Sequence, residues 1–360
     1  MKFSELRQAI KTEAARLGFS HLGIAPPTQA PHYQAYRLWI EKGHHAEMAY
    51  LAREDSLKKR GDPRELLEDC QAIICLAMPY YPPQTDDNLA PPGKGRVSSY
   101  AITRDYHHVI RDKLAKLERF IQNQAGQDVH TNAYVDTGPI LEKSYANLAG
   151  LGAIGKNTCL IIPGEGSCFF LAEILTNLEL PVDAPFTYDL CKSCQRCIEA
   201  CPTGCILADR TIDAERCISY LTIENKGIIP DDLKEQLGDW VFGCDVCQMV
   251  CPHNALSPAN HIQLGTPILT EWIDLVELFE DDSLYIEKYQ HTPLSRAKRN
   301  GLLRNAAVVL GNQRCPSALP VLQAVRDREK DQAVRDACDW AVRRIRQDTD
   351  NRQLNDKNLS

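Results

Sequence analysis

Apolar positions at Leu6, Ile10 and Leu17, with Ala9 and Ala14 beside them, recur at helical spacing and predict an opening amphipathic helix. Ser4 stands where an N-cap belongs, and Gly18 where the helix would close. FSHLGIA, residues 19–25, is a strand candidate ahead of Pro26 and Pro27. A second helical pattern runs through LWIEKGHHAEMAYLAR, interrupted at Gly43. QAIICLAMPYY, residues 71–81, is a β-rich apolar run stopped by Pro82 and Pro83, and the Pro/Gly-rich segment to Gly95 predicts a surface loop. Leu114, Leu117, Phe120 and Ile121 mark a helix ending near Gly126. The strand AYV then delivers Asp136 at its end, with Thr137-Gly138-Pro139 opening the next helix. GLGAIGKNTCLIIP and SCFFLAEILTNLEL flank Gly164-Glu165-Gly166, which predicts a hairpin.

Strands and helices therefore mix without a regular βαβ rhythm, and residues 1–180 predict an α+β sheet domain rather than a Rossmann fold. GLGAIG does not change this, because a helix precedes it and a strand follows, the reverse of the dinucleotide-binding setting. Residues 300–346 read as paired helices: LLRNAAVVLGN, ALPVLQAVRD and QAVRDACDWAVRRI. Similar Arg-x-Ala-rich stretches begin at Arg304 and Arg335, a period that fits a short helical repeat of the HEAT type. The polar tail from Gln347 predicts disorder. The expected units are 1–180, 181–262, 263–346 and a tail 347–360.

A chain of 360 residues, 44% hydrophobic and 25% charged, fits a soluble globular protein of two or three domains. MKFSELRQAIKTEAARLGF has neither an uninterrupted apolar core nor paired Arg, so no secretory signal is expected there. No stretch approaches the roughly 20 apolar residues of a membrane span. Fifteen Cys then point to a reducing compartment, and a cytoplasmic location is expected. The net charge of −7 argues against a general nucleic-acid binder, but the sign is uneven. Residues 267–290 hold seven acids against Lys288, whereas 291–346 hold twelve Arg or Lys against five acids. That stretch is either a basic face for a polyanion or a solvated helical surface.

The chemistry lies in the cysteines. CKSCQRCIEACP places Cys191, Cys194, Cys197 and Cys201-Pro202 in the bacterial ferredoxin run for a [4Fe–4S] cluster. GCDVCQMVCPH repeats the ending with Cys244, Cys247 and Cys251-Pro252, its leading Cys set back to Cys217. In two-cluster ferredoxins the Cys before Pro ligates the other cluster. Cys191, Cys194, Cys197 and Cys251 are thus assigned to cluster one, and Cys201, Cys217, Cys244 and Cys247 to cluster two. Zinc sites use two CxxC pairs rather than two CxxC-xxx-CP endings. Cys205, just past CPTG, is surplus and reads as a small packing residue.

Several stretches together resemble the epoxyqueuosine reductase family: GFSHLGIA, HHAEMAYLAR, SSYAITRDYHHVIRDKL, YVDTGPILEKSYANLAGLGAIGKNTCLI, both Cys runs, SYLTIENKG and GLLRNAAVVLGN. They span nearly the whole chain in order. The departures are Ala153 where Trp is usual, Cys205 where Ala is usual, and GEGSCFF for a GSW-type hairpin. The resemblance implies a nitroreductase-like N-terminal domain holding base-off cobalamin, a central ferredoxin-like two-cluster domain, and a C-terminal HEAT-like module that grips a tRNA anticodon arm. Cluster two would lie near the corrin and pass electrons to cobalt. The implied reaction is reduction of the epoxide of epoxyqueuosine, at the wobble position, to queuosine with loss of water. An external donor such as flavodoxin or ferredoxin, a monomer and no membrane are implied with it.

Asp136 matches the family's proton donor, and the alkoxide formed on epoxide opening needs such an acid. An Asp at that place is otherwise a common helix cap. An acid useful near neutral pH would need its pKa raised by burial. Arg60, Tyr100, Asp105, His107, Lys156, Asn157 and Ser219 are candidate corrin contacts, with Asp136 beside them. Thr222, Glu224, Asn225 and Lys226 match a tRNA-contacting loop, and Arg296, Lys298, Arg299 and Arg304 suit phosphate contacts. Two alternatives are a cobalamin-dependent reductive dehalogenase and a two-cluster electron-transfer protein. The first lacks its twin-Arg leader here, and the second has no use for some 190 residues ahead of Cys191.

Overall fold

The computed structural model describes residues 2–81, 90–126, 128–256, 265–280 and 282–358. Its strands are β1 (His21–Ala25), β2 (Ala72–Pro79), β3 (Lys94–Val97), β4 (Thr131–Tyr134), β5 (Ala153–Ile154), β6 (Leu160–Ile161), β7 (Phe169–Thr176), β8 (Trp240–Phe242) and β9 (Trp272–Asp274). The main sheet has the order β1-β2-β7-β4 and is antiparallel throughout. Every residue of β2 is buried, as a central strand covered on both faces requires. One face carries Ile74, Leu76, Ala172 and Ile174 against the helices Phe3–Arg16 and Tyr106–Ala125. The other carries Ile73, Cys75 and Leu175 against the helix Glu142–Leu148. The α+β class expected of this part is what forms.

Three local expectations change. The first helix is capped at Lys2, whose backbone N–H donates to Glu5, and not at Ser4. Only a single bridge, Ile162↔Gly166, forms where the hairpin at 164–166 was expected. β6 pairs with β5, while β7 is needed between β2 and β4 in the main sheet, where an eight-residue apolar strand finds a partner on each edge. The segment 347–358 is helical, continuing Gln332–Asn358, because no Gly or Pro interrupts it. Most of the proline-rich segment, 82–89, lies outside the described residues, as do 257–264 at the expected boundary near 262 and the last two residues of the expected tail.

The second sheet, β8-β3-β9, takes one strand from each of the expected units 181–262, 1–180 and 263–346. Arg96 of β3 lies over the rings of Trp240, 5.2 Å, and Trp272, 4.5 Å, so a cation–π sandwich joins all three. A single core continues from Val97 through Trp240 and Ile273 to Leu302 and Ile345. The helix Lys298–Asn312 is buried along its whole run from Gly301 to Gly311, between β8 and the helix Gln332–Asn358.

Candidate active site

β4 delivers the chain to Asp136, which adopts φ +52° in the left-handed region. The turn leaves no room for a side chain at position 138, where a Cβ would lie 2.6 Å from the Tyr134 ring. Glu142, at the start of the next helix, accepts the Asp136 backbone N–H at 2.6 Å and so pins the turn. The Asp136 carboxylate meets two donors on the helix Tyr106–Ala125: the Tyr106 hydroxyl donates to Oδ2 at 2.8 Å, and His107 Nε2 lies 2.9 Å from the same oxygen. His107 Nδ1 is in turn 2.7 Å from Asp105 Oδ1, and Asp105 also caps the helix by accepting the His107 N–H. An imidazole thus bridges two carboxylates. Burial works to lower the His107 pKa, but the bonds to Asp105 and Asp136 outweigh it and carry it to about 9. For Asp136 burial works upward, yet His107 and Tyr106 hold it below the usual carboxylate range. The raised acid expected at this position is therefore not found at Asp136, whose side chain keeps 54% of its exposure. Glu142 shows the opposite behaviour: burial first and the Asp136 charge second push it up to about 8.

The cysteines gather in two groups. Cys191, Cys194, Cys197 and Cys251 line one cavity together with Lys156, Asn157 and His253. The Lys156 amide points at Cys191 Sγ, 3.4 Å away, an orientation that stabilises a thiolate. In the second group Cys201 Sγ is 3.4 Å from Cys205 Sγ, and the Cys205 thiol also bonds Cys217. Cys244 and Cys247 face Cys217, and Cys159 bonds Cys247. Cys205 is thus wedged between two ligand candidates and is more than a packing residue. All fifteen cysteines are free thiols. Among the described residues no three His, Cys, Asp or Glu side chains converge as a single bound ion requires. The first group surrounds a space rather than a point, which suits the larger body of an iron–sulfur cubane.

Residues 60–137 match the family described as "Epoxyqueuosine reductase QueG, DUF1730", and residues 190–254 match the "4Fe-4S double cluster binding domain". An epoxyqueuosine reductase of Pseudomonas aeruginosa is 40% identical over 347 residues, covering 95% of each chain. The chain belongs to the epoxyqueuosine reductase family. A relative of the same name from Cyclobacterium marinum is 39% identical, covering 83% of this chain and 94% of its own. A crystal structure of an epoxyqueuosine reductase with a tRNA-Tyr epoxyqueuosine-modified stem loop superposes with a TM-score of 0.85 at 29% identity, over 96% of this chain and 91% of that one. The Bacillus subtilis epoxyqueuosine reductase, solved with its catalytic Asp loop swung out of the active site, gives 0.84 at 28%, with the same coverage of each.

Against the pattern of this reductase family, the candidate residues sort into three places. Tyr100, Asp105 and His107 gather around Asp136; Tyr100 lies within reach of the charges of both Asp136 and Asp245, which sits between Cys244 and Cys247. Tyr50, 40% exposed, feels the charges of Glu224, Arg296, Asp136 and Arg60, so these groups lie around it. Arg60 itself is buried, its guanidinium 5.8 Å from the Tyr36 ring. Lys156 and Asn157 stand instead at the cysteines: the Lys156 ammonium donates to the carbonyls of Lys192 and Cys194, and the Asn157 amide to that of Cys247. Ser219 is half-buried in the first turn of the helix Ile218–Ile223.

The tRNA candidates divide by burial. Arg304 is 1% exposed, and its guanidinium donates to the carbonyls of Leu221, Asn225 and Gly227, so it meets no phosphate. Its role is to hold the 218–227 loop. Thr222 and Asn225 are also buried, Thr222 accepting the Gly243 N–H and Asn225 the Gly227 N–H. Glu224 forms an ion pair with Arg296 at 2.7 Å, Lys226 donates to the Ile223 and Arg296 carbonyls, and Arg299 pairs with Glu329. Arg296, Lys298 and Lys226 are exposed. Tyr106, Glu142, Glu173, Cys159 and Tyr50 belong to these sites too, and nothing in the sequence pattern singles them out. Apolar periodicity does not say which polar residues meet across a sheet end. No helix among the described residues is long and apolar enough to cross a membrane.

Proposed function

We propose that the protein reduces epoxyqueuosine in the anticodon arm of tRNA to queuosine. The observation that carries this reading is the 95% mutual coverage with an epoxyqueuosine reductase, together with a carboxylate held by a proton-bearing imidazole at the exposed end of β4. Asp136 is the group that protonates the opening epoxide. Cys191, Cys194, Cys197 and Cys251 hold one [4Fe–4S] cluster, and Cys201, Cys217, Cys244 and Cys247 the other; the first set is supported by the cavity those four residues share. Cobalamin, when bound, supplies a strongly reducing centre able to attack the epoxide carbon. The donor set around the opening fits its rim of amides: Tyr50 and Tyr100 offer hydroxyls, His107 and Asp105 an imidazole and a carboxylate, Asp136 an acceptor. Arg60 and Ser219 complete this rim, while Lys156 and Asn157 hold the cysteine loops beside it.

Arg296, Lys298 and Lys226 meet the tRNA backbone, with Glu224 and Arg299 setting the surface around them. The helices from Lys298 to Asn358 act as a HEAT-like module, with the units 1–180, 181–262 and 263–346 as functional divisions of one body. The protein works as a cytoplasmic monomer supplied by flavodoxin or ferredoxin, a reading supported by fifteen cysteines none of which is paired in a disulfide. The test is anaerobic incubation of reconstituted protein with tRNA carrying epoxyqueuosine, followed by nucleoside mass analysis. Queuosine is the expected product; unchanged epoxyqueuosine with fully loaded, reduced protein would overturn the reading.

A further inference from the structure

Converting an epoxide to an alkene and water consumes two electrons and two protons. Resting on the proposed function, the electrons come from the external donor, but the structure must account for both protons. Asp136 is ionised at rest and holds neither. Two neighbours do. On one side the His107 Nε2 proton lies on the 2.9 Å line to Asp136 Oδ2, with Asp105 fixing the opposite ring nitrogen. On the other side Glu142 Oε1 accepts the Asp136 amide, which leaves Oε2 to carry a proton. Glu142 lies against the Asp136 turn through that amide, and after burial the Asp136 charge opposes a second charge on it, so Glu142 keeps its proton while Asp136 is ionised. Behind Glu142 stands Glu173, on the central strand β7 and 0% exposed, with neither oxygen hydrogen-bonded among the described residues. Burial, then the charge of Glu142, keeps it neutral. The remaining charged groups are Lys143 beside Glu142, His108 beside Asp105, and Arg296 facing Asp136 across the opening; the Tyr100 and Tyr106 phenols stay neutral.

We propose that Asp136 delivers both protons of the reaction in turn, resupplied by His107 from one side and by Glu142 from the other. In the first step one electron from the external donor enters, one epoxide C–O bond breaks, the oxygen takes a proton through Asp136 to become a hydroxyl, and His107 becomes neutral imidazole. In the second the remaining C–O bond breaks, the hydroxyl leaves as water with the proton of Glu142 passed through Asp136, and the alkene forms as the second electron arrives. Solvent then recharges both groups. His107 and Glu142 are positioning residues that act through Asp136, and Glu173 is the neutral, buried floor on the side of Glu142 away from solvent.

Glu142→Gln is the decisive variant, because Gln keeps the acceptor for the Asp136 amide and loses only the proton. In cofactor-free protein the Asp136 amide resonance is expected to titrate near pH 8, and to stop doing so in Glu142→Gln. The His107 ring nitrogens are expected to titrate near pH 9, and lower in Asp136→Asn. In single turnover with pre-reduced enzyme, Glu142→Gln and His107→Gln each slow queuosine formation at least about tenfold, and each removes one limb of the alkaline fall in rate. Wild-type rate and pH profile in Glu142→Gln, or an Asp136 amide blind to pH 8, would overturn the proposal. A wild-type enzyme that makes no queuosine would overturn the functional reading alone, since the two titrations are read without cofactor or substrate.

Discussion

Asp136 at φ +52° occupies a conformation that Asn tolerates as well as Asp, so Asp136→Asn tests chemistry without disturbing the turn. Turnover is expected to fall roughly a hundredfold or more, while the fold and tRNA affinity are kept. A folded Asn variant with full turnover would place the acid elsewhere. The same site sets a pH dependence of stability. His107, raised from 6.5 to about 9, contributes stability that is whole below 6.5 and lost as pH rises through 9. Glu142, raised from 4.5 to about 8, acts in the same sense, because the folded state again binds the extra proton. The urea midpoint should therefore decline between pH 4.5 and 9, through Glu142 up to about 8 and through His107 from 6.5 to about 9, and the decline should flatten in the double variant His107→Gln with Glu142→Gln. Arg304 offers a third measurement. Arg304→Ala strands three buried carbonyls, at a cost of about 3 kcal/mol or more. A variant of unchanged stability but reduced salt dependence of tRNA binding would return Arg304 to the phosphate-contact role.

At the scale of elements, the short helices Arg196–Ala200 and Val246–Met249 pack against each other and carry the two Cys-x-x-Cys turns with them. This packing brings Cys251 to the loop of Cys191, Cys194 and Cys197. The crossed ligation predicts that losing Cys201 damages the cluster of Cys217, Cys244 and Cys247. Because Cys205 Sγ lies 3.4 Å from Cys201 Sγ and can take its place, the clean variant is Cys201→Ala with Cys205→Ala. Mössbauer spectra should then show one intact [4Fe–4S] cluster, still held by Cys191, Cys194 and Cys197; loss of that cluster instead would refute the crossing. The hairpin expected at 164–166 shows the limit of local reading, since turn residues announce a reversal but not which strand becomes the partner.

Across the whole molecule, the sheet β8-β3-β9 and the core running from Val97 to Ile345 fix the cluster region between the Asp136 sheet and the C-terminal helices. The Glu224–Arg296 ion pair closes the opening on the side facing Asp136, at the junction of the cluster region and the helical module. Beside it, Lys226, Arg296 and Lys298 present an exposed basic rim. Replacing Lys226, Arg296 and Lys298 by Ala should weaken tRNA binding and reduce the slope of log affinity against log salt by about 2 to 3, near one for each phosphate no longer neutralised. Cluster content should be unchanged. A slope equal to wild type would make the rim a solvated face.

The sequence alone determined the local elements and the cysteine chemistry. β1, β2, β4 and the helices Tyr106–Ala125 and Lys298–Asn312 follow from apolar spacing, which burial enforces within a few residues. The Cys spacings are local because three ligands of cluster one, Cys191, Cys194 and Cys197, come from one turn. The tertiary structure decided everything that depends on which polar group meets which. Arg304 looked like its exposed neighbours and proved buried, because three carbonyls from a loop some eighty residues earlier close around it. Asp136 was legible as the end of a strand, but its charge state was not, since His107 arrives from another element and Glu142 folds back beneath it. Burial and charge are properties of the assembled neighbourhood, and only the packed chain brings that neighbourhood into being.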